Sequence, residues 1–110
     1  MANFLKVLGQ QIPAAGVVAV IYAPSSVRTA TVSTVTACNQ GPATTIRLLV
    51  NVFTDGLGDV PKQYIVYDLP LAANDTYAAT MGITLASQDG LRCSSANGAV
   101  SFSAFGVEVA

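Results

Sequence analysis

The sequence predicts an all-β protein: an antiparallel β-sandwich of about seven to eight strands, jelly-roll-like or immunoglobulin-like, with no substantial helix. Three observations lead there. Apolar and polar residues alternate with a period of two in successive segments, turn signals recur every 8 to 15 residues, and no stretch carries a helical period. At 110 residues and 11.3 kDa the chain holds one core and no more. The expected organisation is an N-terminal arm or edge strand over residues 1–15, followed by a single sandwich domain over residues 16–110.

The elements follow in chain order. The arm carries Phe4, Leu5, Leu8 and Ile12, an apolar set that either lies on a neighbouring molecule or forms an edge strand in cis. Gly16 to Tyr22 reads as a strand. The apolar run Ile12 to Ala23 is too short to cross a bilayer. As a signal-peptide core it is opposed by Gln10 and Gln11 and by the lack of a small-residue cleavage pattern before Pro24. Thr31 to Cys38 is rich in Val and Thr, and Asn39-Gln40-Gly41-Pro42 ends it. Thr44 to Phe53 alternates most clearly, with Ile46, Leu48, Val50 and Val52 on one face and Thr45, Arg47, Leu49, Asn51 and Phe53 on the other. Asp55-Gly56-Leu57-Gly58-Asp59 turns the chain, Pro61 delays the next strand, and Gln63 to Leu69 then runs to Pro70. Asn74-Asp75 opens Thr76 to Leu85, where Tyr77, Ala79, Met81, Ile83 and Leu85 share a face. Ser87-Gln88-Asp89-Gly90 leads into Leu91 to Ser95. Asn97-Gly98 is a type I′ hairpin signal joining that strand to Ala99 through Val109. The apolar phase of this last segment slips beside Gly106, which predicts a β-bulge.

Composition narrows the chemistry. Lys and Arg number 5, Asp and Glu 6, so charged residues make up 10% of the chain, against roughly 25% in a typical soluble domain. The net charge is −1 and the apolar share 52%, with no His and no Trp. Neither nucleic acid nor an anionic membrane is attracted by such a chain. No base stands ready to activate a nucleophile, and the carboxylates mostly occupy turns, where they accept local backbone N–H bonds. No catalytic, cofactor-binding or metal-ligating residues are expected; the chain is not expected to be an enzyme. Asp55 to Asp59 lacks the ladder of oxygen ligands that a calcium loop needs. Cys38 and Cys93 read as two small, reduced core residues.

What remains is a surface of Thr, Ser, Asn, Gln and Ala, which is cheap to cover, since a buried and unpaired Lys or Glu costs several kcal/mol. Leu49 and Phe53, on the face opposite the core phase, predict a sheet covered by a neighbouring subunit or by the chain's own termini. With Tyr64 they join Phe4, Leu5, Leu8 and Ile12 as the expected interface. Tyr64 and Tyr67 are placed on opposite faces of one strand by simple alternation, so only one of them belongs to any given surface. Together with Tyr22 and Tyr77 they either cap the sandwich edges or contribute to an interface or a sugar-stacking surface.

Several segments together resemble a known group. Val7-Leu8-Gly9-Gln10, Ile21-Tyr22-Ala23-Pro24, Val32 to Asn39, Tyr67-Asp68-Leu69-Pro70-Leu71, Ala73-Asn74-Asp75-Thr76, Gly82-Ile83-Thr84-Leu85 and Val100 to Glu108 are similar to stretches of small tailed-phage and prophage virion proteins, above all capsid decoration (cement) proteins. The resemblance implies a structural protein of the virion, assembled in the bacterial host cytoplasm and carried on the capsid exterior. It implies the major capsid protein as partner and self-association as a homotrimer, with no cofactor. A tail, neck or fibre component is the alternative within the same particle, and a glycan-binding β-sandwich module the alternative outside it.

Overall fold

The computed structural model describes residues 2–110. Eight strands account for most of the chain: β1 (Asn3–Gln11), β2 (Ala19–Tyr22), β3 (Thr29–Asn39), β4 (Thr44–Asn51), β5 (Tyr64–Leu71), β6 (Thr76–Leu85), β7 (Gly90–Ser95) and β8 (Val100–Val109). Short 3-10 turns at Phe53–Asp55 and Pro61–Gln63 lie between β4 and β5. The strands form two four-stranded sheets, ordered β1-β8-β3-β6 and β2-β7-β4-β5. β1 pairs with β8, β2 with β7, β3 with β6 and β4 with β5, all antiparallel. That nesting is one long hairpin rolled over on itself, the jelly-roll connectivity.

The core lies between the sheets, as the alternation requires. Val32, Val35, Ala37, Val100, Phe102 and Ala104 come from the first sheet; Ile46, Leu48, Leu91 and Cys93 come from the second. Residues 3–11 of the expected arm are the edge strand β1 in cis, paired along β8; Met1 lies outside the described residues.

Near Gly106 the ladder slips on both sides of β8, beside Phe105. One extra residue enters β1 between Val7 and Gly9, and one enters β3 between Val32 and Thr34. The expected bulge in the last strand is therefore corrected: β8 keeps its period of two, with Val100, Phe102, Ala104 and Glu108 inward, and the extra residues sit on the flanking strands. Gly106 is required there, because a Cβ would run into the Thr31 carbonyl oxygen. A further expectation is corrected on β1: Leu8, expected at an interface, continues the inward phase of Phe4 and Lys6, is the residue the β1–β8 ladder skips, and joins the core.

Two further expectations are corrected. Asn97-Gly98 makes no hairpin, because β7 and β8 belong to different sheets. Of the two residues only Gly98 has a positive φ, 69°, whereas a type I′ turn needs both. The Asn97 side chain instead works as a clasp across the sandwich end. Its Nδ2 donates to Asn39 Oδ1 and the Pro42 carbonyl at 3.0 and 2.9 Å, and its Oδ1 accepts from the Ala99 N–H. Cys38 is not a core residue. It faces outward from β3 and is exposed, while Cys93 faces inward from the other sheet, so the two thiols are free and separated by the sandwich. Burial pushes the Cys93 thiol up to about 12 and leaves it inert.

Candidate functional site

The two broad faces of the sandwich differ in charge. On the outer face of the first sheet, pairing aligns Leu5, Val107, Thr31 and Thr84 in one row and Val7, Phe105, Thr34 and Thr80 in the next. Gln10, Ser103, Thr36 and Ala78 form a third row, and Ser101, Cys38 and Thr76 a fourth. Among the described residues, no charged side chain stands on this face. Leu5 is 87% exposed and Val7 50%, so the apolar share of the face is open to solvent.

The second sheet carries the opposite character. Arg47 and Ser94 pair across β4 and β7, and the next row reads Tyr64, Leu49, Arg92, Val20. Arg47 Nε and Nη2 donate to the two Asp68 carboxylate oxygens at 2.6 and 3.1 Å, a bidentate pair. This pairing lowers the Asp68 carboxyl and raises the Arg47 guanidinium. The Arg47 guanidinium also lies 4.2 Å from the Tyr67 ring centroid. Arg92 Nη1 donates to Asp59 at 2.7 Å. A cavity of about 510 Å³ is lined by Arg47, Asp59, Pro61, Tyr64 and Tyr67. A second, of about 200 Å³, shares Arg47 and extends over Thr45, Asp68, Ser94 and Ser95. Arg47 lies between the two and lines both, so they adjoin on the outer face of the sheet and are together called the groove.

Tyr64 and Tyr67 both line this groove, contrary to the alternation expected of them. Their rings meet edge to face with centroids 5.1 Å apart. The reason is local: the β4–β5 register skips Ile65 between the Leu49–Tyr64 and Leu48–Val66 pairs, so the strand loses its period of two between the tyrosines; a second shift follows at Tyr67–Asp68, where Asp68 adopts a positive φ of 52°. Asp68 is correspondingly no turn carboxylate; it sits within a strand, where Asp is disfavoured unless something holds it.

Leu49 corrects the expected interface. It is fully buried within one chain, although it points away from the core. Arg92 and Tyr64 flank it in register, and the Pro61–Gln63 turn packs on β4. That connection is tied down by Asn51 Nδ2 to the Leu57 carbonyl, Gln63 Nε2 to the Gly58 carbonyl, and the Phe53 N–H to Asp89. The cover is the β4–β5 connection, neither a terminus nor a neighbour. Phe53 remains 53% exposed on that connection and Ile12 55% exposed beyond β1. Tyr64 is half-buried on the second sheet, while Phe4 lies under the Arg28 guanidinium at 4.3 Å. The seven expected interface residues therefore do not compose one surface.

A third cluster closes the sandwich end remote from Asn97. Glu108 faces inward from β8 and is buried. It accepts from Tyr22 Oη at 2.5 Å, Arg28 Nη1 at 2.9 Å and Lys6 Nζ at 3.1 Å. Tyr22 first, then Lys6 and Arg28, hold its carboxyl down at about 2 against the opposing effect of burial. Burial and the Glu108 carboxylate raise the Tyr22 phenol. A depressed carboxyl stabilises the fold above its unfolded pKa and ceases to do so as pH falls through the folded value. The Glu108 contribution is therefore full above about pH 4.5 and disappears towards about pH 2. Glu108→Gln should cost about 2 kcal/mol at neutral pH, the scale of lost charge-assisted hydrogen bonds. Thermal melts between these limits should show a flatter pH dependence for the variant than for the parent.

Sequence pattern alone did not assemble the groove. The available signal was a strand-interior Asp68 and a strand-interior Arg47 in otherwise neutral segments, a combination that asks for a partner. Among the described residues no cluster of three or more His, Cys, Asp or Glu is placed to hold a metal ion. Compared with known proteins, the chain matches no family model, no curated protein and no solved structure.

Proposed function

We propose that this protein is a structural subunit of a tailed-phage virion, a capsid decoration protein that seats on contacts between major capsid subunits and stabilises the shell. One observation carries the reading most of the way: the charge-free outer face of the β1-β8-β3-β6 sheet. Four strands about 4.8 Å apart and about ten residues long give that face on the order of 600 Å². A standard interface uses roughly 800 Å² per partner, so this face supplies most of one. Its Thr, Ser and Val side chains are desolvated at low cost, and no unpaired charge is trapped when it is covered. The resemblance of the β1, β3 and β8 segments to decoration proteins adds the identity of the partner, the major capsid protein.

The action is passive. Each copy adds buried surface across a seam, and many copies acting together resist the pressure of packaged DNA through avidity. A homotrimer protects the free edges of the sandwich and presents three such faces at once. The test is sedimentation of the purified protein with shells that lack it, alongside its mass in solution by light scattering. A trimer that co-sediments in saturating, stoichiometric amount supports the reading. A monomer that stays in the supernatant overturns it. Copy number separates the tail, neck or fibre alternative: hundreds per particle for decoration, a dozen or fewer for a neck component.

A further inference from the structure

We propose that the groove across the outer face of the β2-β7-β4-β5 sheet binds a neutral oligosaccharide. It lies on the face opposite the one assigned to the shell, so the two proposals stand or fall separately.

The groove is chemically built. The Tyr64 and Tyr67 rings stand nearly perpendicular, at 87°, in the wall of the larger cavity. Tyr67 is 62% exposed. The Arg47 guanidinium already covers one face of this ring, 4.2 Å from its centroid; the remaining exposed area of the ring offers apolar surface to the C–H face of a pyranose, and its hydroxyl stays wet. Beside it, Arg47 and Asp68 present a planar array of donors and acceptors already locked in place by their bidentate bond. Vicinal sugar hydroxyls, each both donor and acceptor, match such an array, and little ordering entropy is lost on binding.

The charge arithmetic selects a neutral sugar. Arg47 is matched by Asp68 and Arg92 by Asp59, so the groove has no spare cation for a phosphate, sulfate or uronate. An extended peptide is also poorly served. β5, the sheet edge alongside, is broken by two register shifts and by Pro70, so it offers no continuous ladder for an added strand. The larger cavity, about 510 Å³, has room for more than one sugar ring, and the second adjoins it on the other side of Arg47, which points to an oligosaccharide.

The test is an amide-shift NMR titration of the 110-residue protein with cellotetraose, maltotetraose, chitotetraose and mannotetraose at millimolar concentration. At least one should shift the amides of Thr45, Arg47, Tyr64, Tyr67 and Ser94 and leave those of β1 and β8 unmoved. Tyr67→Ala should weaken that binding roughly tenfold, the upper range for one lost aromatic contact. Asp68→Asn should weaken it as well, and Phe53→Ala, outside the groove, should not. Unperturbed shifts elsewhere in each variant establish that it is folded. The proposal is overturned if no sugar of the panel moves these amides, if Tyr67→Ala and Asp68→Asn bind as well as the parent, or if only capsid shells perturb the groove.

Discussion

Thr31→Lys should lower the affinity for shells at least about 100-fold, with the melting temperature unchanged to within about 3 °C. Thr31 is exposed on β3, one of the two inner strands of the first sheet, in the row with Leu5, Val107 and Thr84. In the free protein a lysine there remains solvated, and surface changes of this kind stay within about 0.5 kcal/mol. Against a partner the same ammonium is covered in a field of Thr and Val with no carboxylate on its own sheet face to answer it. The effective cost of an unpaired buried ion is several kcal/mol, and about 2.7 kcal/mol already gives a hundredfold change. Leu5→Lys should show a smaller loss, because β1 is an edge strand and a long side chain can carry its charge out to water. Phe53→Lys, on the connection between two strands of the other sheet, should bind as the parent does. Shell sedimentation across these three variants, with melting curves beside it, makes the comparison.

Phe102→Ala should destabilise the fold by about 3–5 kcal/mol. For a domain of this size that lowers the melting temperature by more than about 12 °C. Phe102 is the largest of the fully buried side chains and points inward from the first half of β8. Its paired neighbour on β3 is Ala37, and Ala104 follows it on the same face. Small residues around a large ring let it fit, and they have no rotamers with which to fill the hole when it is removed. The cavity term is therefore close to its maximum. Phe53→Ala, half exposed on the β4–β5 connection, should change stability by less than about 1 kcal/mol. Denaturant titration of the two variants measures the contrast.

The strands were legible where alternation decides burial without interruption. Leu91 to Ser95 is a strand where the pattern predicts one, paired along β4 without a slip, and the Ile46, Leu48 phase of β4 faces the core. Legibility failed where the backbone departs from a period of two. Simple alternation puts the tyrosines of β5 on opposite faces, because nothing in QYIVYDL announces the register shift that skips Ile65. The Asn97-Gly98 pair carries the composition of a hairpin turn, yet its geometry is set by two strands that enter different sheets, a tertiary fact that outranks local preference. Leu49 looked like an outward apolar residue awaiting a partner, and the partner proved to be twelve residues of the chain's own connection, Val52–Gln63. The charge-free sheet face was legible only in outline. Low total charge indicated a neutral exterior, but the placement of Lys6, Arg28 and Glu108 at the sandwich end, and of Arg47, Asp68 and Arg92 on the second sheet, depends on which strands pair.

Hydroxyl-radical footprinting of the protein alone and on saturated shells addresses the seating face residue by residue. Leu5, Val7 and Phe105 should lose most of their oxidation on the shell, while Phe53 and Tyr67 keep theirs. Protection of Phe53 and Tyr67 with Leu5 and Val7 still oxidised would place the contact on the second sheet and contradict the assignment of the uncharged face.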